Sequence, residues 1–356
     1  MISGPLPFAH GDSAPLFNAP CAGNPRFAFG AMAGRYIVLA FLGTASHAAV
    51  VDALAAVDAR AGQFDDQRAC FFGVSLDPND FAAGRLRDSP GIRFFDDRAQ
   101  EVSRLYGALD AAGTFRGYAL LLDPGLRVIE AVPLSAIEAL LDRLAALPPV
   151  EAHAGMEVHA PVLILPRVFE PSFCAALIAA WRTGEQRESG FMREVGGRTV
   201  EVRDAAFKQR QDHTLADEEL IAGARDRVLR RVVPEIAKAF QFKATRMERY
   251  LVARYGAGEG HFRAHRDNTT KGTAHRRFAV SINLCAEAHE GGELRFAEFG
   301  RRTYKPATGA AVVFGCGLLH EVTAVTAGER FAFLPFLYDD EAAKIRAENA
   351  QFIGTS

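Results

Sequence analysis

The apolar pattern changes period midway along the chain, and one layer architecture cannot serve both halves. From Tyr36 the first half alternates short apolar runs with amphipathic stretches. YIVLAFL (36 to 42) reads as a buried strand and HAAVVDALAAVDARAGQF (47 to 64) as a helix, followed by the strand CFFGVSL (70 to 76). A helix near Asp80 to Arg87, a strand at Ile92 to Phe95 and a helix from about Arg98 to Tyr106 follow. The strands YALLLD (118 to 123) and RVIEAV (127 to 132) and a helix through IEALLDRLAAL (137 to 147) complete the set. Such alternation predicts a three-layer α/β domain over residues 1–147. The proline-containing segment PPVEAHAGMEVHAP breaks it, and residues 148–160 are expected to be a linker. Residues 161–356 then open with a helical region, for instance SFCAALIAAWR (172 to 182) and DEELIAGARDRVLRRVVPEIAKAF (217 to 240). From Thr245 they turn strand-rich: MERYLVARY, GHFRAHRD, FAVSINL, GELRFAEF, AAVVFG, HEVTAV and RFAFLPFLY, spaced by glycine-containing turns. That pattern predicts a β-sandwich or barrel with supporting helices.

Composition narrows the function classes. A net charge of -2 over 356 residues provides no basic excess for tracking phosphates, so no nucleic-acid partner is expected. The N-terminus MISGPLPFAHGD lacks a basic region followed by an apolar run, and no 18-residue apolar segment occurs. A soluble cytoplasmic protein without a membrane partner is the expectation. The five cysteines, Cys21, Cys70, Cys174, Cys285 and Cys316, are widely spaced and form no CxxC pair, which fits a reducing compartment and neither a disulfide framework nor a zinc site.

Chemistry concentrates in GHFRAHRDNT (260 to 269). Counting by twos from His261 places Arg263, His265 and Asp267 on one face of an extended strand. His265 and Asp267 have the makings of a short metal-binding unit. His320, 53 residues after Asp267 and just beyond the apolar run AAVVFG, is the best third ligand. Two imidazoles and one carboxylate are the donor set of a mononuclear non-haem Fe(II) centre, with positions left open for co-substrate and O2. Arg330, ten residues further on, begins the next apolar strand, and a guanidinium inside a barrel calls for a carboxylate such as that of a dicarboxylate co-substrate. His261 reads as a strand neighbour, and His275 and His289 as solvated loop residues. Asn283 either points at co-substrate or satisfies a buried neighbour. The stretch KQRQDH (208 to 213) reads as a solvated ion-pair network joining two helical segments, with Arg210, Asp212 or His213 able to reach a substrate mouth. Basic residues scattered between Arg246 and Lys305 suit an anionic substrate or co-substrate as well as a solvated face.

The ordered set YGAGEGHFRAHRDN, RFAVSINL, GGELRF and PATGAAVVFGCGLLHEVTAVTAGER resembles the catalytic core of prolyl 4-hydroxylase-type Fe(II)/2-oxoglutarate dioxygenases, over roughly residues 160 to 340. The resemblance implies a double-stranded β-helix in which His265, Asp267 and His320 hold iron and Arg330 binds the distal carboxylate of 2-oxoglutarate. Tyr255, ten residues before His265, matches a family tyrosine lining the co-substrate pocket. It also implies Fe(II), 2-oxoglutarate and O2 as reactants, with ascorbate as an accessory reductant. The expected reaction is hydroxylation of a C–H bond, with release of succinate and CO2, on a protein, peptide or small-molecule substrate. Nucleic-acid demethylases of the superfamily usually carry a second arginine six residues after the first; here Phe336 stands there, which lowers that reading.

The first half resembles the peroxiredoxins of the alkyl hydroperoxide reductase and thiol-specific antioxidant type, on GDSAPLF (11 to 17) and FLGTASHAAV (41 to 50). In that family a cysteine follows the threonine by three residues, at the first turn of a helix. Counting three from Thr44 gives His47, and imidazole cannot form the sulfenic acid that peroxide reduction requires. A thioredoxin-fold domain without peroxidase activity, serving dimerisation, substrate docking or partner binding, is therefore expected. A thiol peroxidase would have to use Cys21, in the loop FNAPCAGN, because Cys70 lies in an apolar strand. A non-catalytic module binding iron and 2-oxoglutarate is the remaining alternative.

Overall fold

A computed structural model describes residues 5–354; the first four residues of the N-terminal stretch read above for a targeting signal lie outside them. The chain divides into two compact units, Met1–His159 with Ala297–Arg301, and Ala160–Phe296 with Arg302–Ser356.

The first unit is a seven-stranded mixed sheet. Its central strand, Tyr36–Gly43, runs parallel to Ala69–Ser75 and antiparallel to Tyr118–Leu122. Ala69–Ser75 pairs in parallel with Ile92–Asp96, and Tyr118–Leu122 pairs antiparallel with Val128–Pro133. Both faces of these inner strands are covered, which explains why they read as continuous apolar runs rather than alternating ones. The helices Ala48–Ala59 and Ile137–Ala145 contribute Val50, Ala53, Val57, Leu140, Leu141 and Leu144 to that core. This is a thioredoxin-like arrangement. Two strands escaped the sequence pattern: Asn18–Cys21 and Asn24–Ala28 form a hairpin added beside Ile92–Asp96, and their polar, proline-containing sequences lack a strand signal.

Cys21 thus lies on a strand, not in a loop. Its thiol is buried and faces Asp88 at 3.6 Å, and burial followed by that carboxylate pushes its pKa up to about 11. Cys70 is wholly buried and pushed up to about 12 by desolvation. His47 occupies the N-cap of Ala48–Ala59, where a peroxiredoxin-like nucleophile would sit. Neither cysteine has the accessible, low-pKa character a peroxidatic thiol needs.

The second unit is a double-stranded β-helix. Leu251–Gly256, Val325–Phe333, Phe278–Asn283 and Ala311–Gly315 form the heart of the larger antiparallel sheet. His261–His265, His320–Val322, Leu294–Arg295 and Thr303–Tyr304 form the smaller one. The chain passes back and forth between the sheets, so catalytic candidates distant in sequence meet between them. The helices Pro171–Thr183, Glu218–Arg231 and Val233–Phe240 pack on the larger sheet, with Leu177, Val228 and Ile236 against Val252, Ile282 and Phe333. The helical region expected over 217 to 240 is two helices that meet at Val232, because Pro234 has no amide hydrogen to continue the ladder. MERYLVARY likewise divides into Arg246–Glu248 and Leu251–Gly256, interrupted by Arg249 at φ +65°. KQRQDH joins strands rather than helices: Lys208–Gln209 extends the smaller sheet and Gln211–Thr214 the larger. Among the described residues, no helix is long and apolar enough to cross a membrane.

Candidate metal centre

His265 ends its strand directly opposite His320 on the neighbouring strand, and opposed residues present their side chains to the same face. The backbone of Asp267, just past the strand end, donates to the Cys316 carbonyl at 3.0 Å, which turns its carboxylate back toward the pair. His265 Nε2 lies 3.5 Å from Asp267 Oδ1, and His320 Nε2 lies 3.4 Å from Asp267 Oδ2. One ligand atom from each residue falls within 4.8 Å of the others.

The tautomers follow from the neighbours. His265 Nδ1 meets the Arg263 carbonyl at 2.7 Å and His320 Nδ1 meets the Leu318 carbonyl at 3.0 Å. A carbonyl only accepts, so each Nδ1 carries the proton and each Nε2 presents a lone pair to the shared point. Burial, reinforced by the adjacent His265, pushes the His320 pKa down to about 4, so its imidazole is neutral near pH 7. Burial alone would raise the Asp267 carboxyl, but the positive charge that His320 and His265 carry when protonated, with that of Arg276, outweighs it and holds it well below the usual carboxylate range. Two imidazoles that turn Nε2 inward and one ionised carboxylate are the donor set a mononuclear Fe(II) accepts, and the residues present fit that ion.

The expected one-faced strand needs correction. A β-bulge between Phe262 and His265 shifts the register, so Phe262 and His265 stack at 3.5 Å between ring centroids and both line the cavity. His261 and Arg263 point elsewhere, both to the Ala206 carbonyl.

Arg330 pairs in register with Tyr255 across the larger sheet and is 2% exposed. Its Nη2 donates to Ser281 Oγ at 3.0 Å, its guanidinium stands 4.9 Å from the Tyr255 ring centroid, and its buried Nη1 has no hydrogen-bond partner. Desolvation lowers its pKa, the mark of a cation held without a full counter-charge. A buried donor in that state is stabilised by an incoming carboxylate. Gly292 explains why the GGELRF turn belongs to this site: at φ +66°, a Cβ there would come within 2.9 Å of Arg330 Cδ and 2.8 Å of Val325 Cγ2.

These residues surround one cavity with about 480 Å³ of empty space, part of it open solvent, lined also by Arg210, Arg249, Leu294, Phe314 and Phe336. Arg210 and Asp212 are not the solvated network expected. Arg210 Nη2 donates to Asp212 Oδ2 at 2.6 Å and to Ser189 Oγ at 2.9 Å, and its Nη1 reaches Tyr255 Oη at 3.4 Å, all with little exposure. Asn283 faces away and donates to the Pro306 carbonyl at 2.7 Å, the satisfied-neighbour alternative. His275 and His289 are buried rather than solvated, the first against Glu248 at 3.0 Å and the second against the Gly291 carbonyl. His213 turns outward to the Glu185 carbonyl.

A β-helix with such a donor set between its sheets defines the class of mononuclear non-haem metalloenzymes. Residues 250–338 match the model of the 2OG-Fe(II) oxygenase superfamily. That part of the chain carries the domain of a 2-oxoglutarate-dependent dioxygenase. No curated protein matches the chain. Among solved structures, a Pseudomonas putida prolyl-4-hydroxylase is 21% identical, with 57% of this chain and 100% of that one covered and a TM-score of 0.39. A Trichoplax adhaerens prolyl hydroxylase, solved with a hypoxia inducible factor peptide fragment, is 16% identical over 59% of this chain and 95% of that one, at 0.41. The Mycobacterium tuberculosis peroxidoxin BcpB is 20% identical, covering 39% of this chain and 97% of its own, at 0.34.

Proposed function

We propose that the protein is an Fe(II)- and 2-oxoglutarate-dependent hydroxylase whose iron is held by His265, Asp267 and His320. The observation that carries this reading is the convergence of three unblocked ligand atoms and one under-bonded buried arginine on a single cavity. Fe(II), bound there, would supply the open positions at which 2-oxoglutarate and O2 react. Arg330 anchors the distal carboxylate, Ser281 and Tyr255 hold the guanidinium in place, and Phe262, Leu294 and Phe314 keep the cavity apolar and exclude water. One oxygen atom of O2 enters succinate and the other the substrate C–H bond, with CO2 released. The substrate is a prolyl or other peptidyl residue, or a small molecule. Ascorbate serves as an accessory reductant.

The first unit, with His47 where a nucleophile would stand, is proposed to mediate self-association. Sedimentation of the full chain as a dimer supports this and a monomer at micromolar concentration overturns it. Five free cysteines fit a reducing cytoplasm. The main reading is tested by substrate-independent succinate formation from 2-oxoglutarate with Fe(II) and O2, which is slow in the wild-type protein and absent in His265→Ala. Wild-type protein that neither binds Fe(II) nor consumes 2-oxoglutarate refutes it.

A further inference from the structure

The cavity holds more positive charge than the metal and co-substrate can use. Arg330 is assigned to 2-oxoglutarate, and Arg210 takes the near oxygen of Asp212. Arg249 remains. Its side chain is 28% exposed and lines the same cavity as His265, Asp267 and His320. Its nearest acid is Asp212 Oδ2 at 3.6 Å, the oxygen Arg210 already occupies at 2.6 Å, and Asp212 Oδ1 accepts no hydrogen bond. The Arg249 guanidinium stands 5.4 Å from the ring centroid of Phe336, an aromatic wall of the same cavity. The backbone contributes a second, independent sign. Arg249 sits at φ +65°, a region that a residue with a long side chain rarely adopts, in the two-residue link between Arg246–Glu248 and Leu251–Gly256.

Charge accounting around the cavity agrees. Asp212 acts on Lys208, Arg210 and Arg249 alike, and Asp267, which also acts on Lys208 and Arg249, belongs to the metal. Lys208 is buried and its ammonium pKa is pushed well down, first by desolvation and then by Arg210, so it yields charge readily. Arg249 is pushed down to about 10, by desolvation first and then by Arg210 and Arg276, and still keeps its proton near neutrality. A divalent metal and a 2-oxoglutarate dianion cancel each other and leave Arg249 without a counter-ion of its own.

We propose that Arg249 is a substrate-specificity residue, and that the hydroxylated substrate is a small carboxylic acid of the amino-acid class whose carboxylate docks on the Arg249 guanidinium. This rests on the hydroxylase reading and narrows it, because the backbone in the interior of a peptide has no carboxylate and only an acidic side chain there could offer one. The fork of donors suits a planar carboxylate better than a lysine would.

The test uses the full chain with Fe(II), 2-oxoglutarate and O2, and the twenty proteinogenic amino acids. Each is presented as free acid, as C-terminal amide, and at the C-terminus of an N-acetylated dipeptide. Succinate formed above the amino-acid-free rate is read. At least one free acid is expected to stimulate about a hundredfold better, in kcat/KM, than its amide. In Arg249→Gln that acid-to-amide ratio falls to near one, and Arg249→Lys restores part of it. The dipeptide arm separates a free amino acid from a chain terminus as the source of the carboxylate. A readout without turnover is the melting temperature of the metal-free protein, which the preferred acid raises in wild type and not in Arg249→Gln. Amides that match the acids, no acid that stimulates, or an Arg249→Gln defect confined to the KM for 2-oxoglutarate each overturn the proposal. Failure of the wild-type protein to bind Fe(II) or to form any succinate instead brings down the hydroxylase reading beneath it.

Discussion

Replacing Arg330 by glutamine removes one end of the proposed co-substrate clamp while keeping a side chain of similar reach. Arg330 is buried, one guanidinium nitrogen is bound to Ser281 and the other is unpaired, so a carboxylate arriving there gains two charge-assisted hydrogen bonds. Each is worth about 1.5–3 kcal/mol, and glutamine retains one neutral bond of about 1 kcal/mol. The net loss is roughly 2–5 kcal/mol, which at about 1.4 kcal/mol per decade raises the KM for 2-oxoglutarate between some thirtyfold and a few thousandfold. The assay is succinate formation against 2-oxoglutarate concentration at saturating Fe(II). Folding is not expected to suffer, because the substitution removes a buried cation that lacks a counter-charge. The melting temperature without ligand should therefore hold or rise. A KM within about threefold of wild type in a folded variant would refute the assignment of Arg330 to the co-substrate.

Further outcomes follow from the same geometry. Gly292→Ala should both destabilise the protein, by about 1 kcal/mol or more for a side chain at φ +66°, and raise the KM for 2-oxoglutarate by displacing Arg330; a stable variant with unchanged KM would show that the turn does not set the arginine. Burial would raise the Glu248 carboxyl, but hydrogen bonding from His275 and the charge of Arg276 outweigh it and bring the pKa from 4.5 to about 2. Because the folded value is depressed, the stabilisation is present above pH 4.5 and is lost as pH falls through about 2. It amounts to roughly 3 kcal/mol. Urea unfolding across that range should show wild type losing this increment and Glu248→Gln lacking it throughout, whereas parallel curves would assign the acid loss to other groups. Cys21→Ser should leave peroxide consumption by the protein unchanged at background, since a thiol with pKa about 11 is almost wholly protonated at pH 7; a peroxidase activity abolished by that change would restore the thiol reading.

Residues whose role depends on spacing along a strand were legible before any coordinates. His265 ends its strand, Asp267 follows it and His320 starts another, while Arg330, expected to begin a strand, stands inside Val325–Phe333 at the head of its apolar half; order and separation still bring the four near one another. The face argument by which His265 was first grouped with His261 and Arg263 fails, because period-two counting assumes an unbroken ladder and the bulge after Phe262 breaks it. Buried polar residues were the larger gap. His275, His289, Arg210 and Asp212 resemble solvated residues in sequence, since what buries them is a partner far along the chain, as Glu248 is for His275. Arg249 is in sequence only one of the basic residues scattered between Arg246 and Lys305: what singles it out is a left-handed backbone angle and an acid already claimed by Arg210. In the first unit, inner strands buried on both faces announced themselves, while the Asn18–Cys21 and Asn24–Ala28 hairpin is held by edge pairing that its composition does not advertise.

The account depends most on three side chains sharing one ion. Anaerobic titration of the purified full chain with Fe(II), followed by metal analysis after desalting, measures this directly. One Fe(II) per chain in the wild-type protein, lost in Asp267→Ala and in His320→Ala but retained in His261→Ala, is the predicted result. Stoichiometric iron that survives both ligand substitutions, or a folded wild-type protein that retains none, would contradict it.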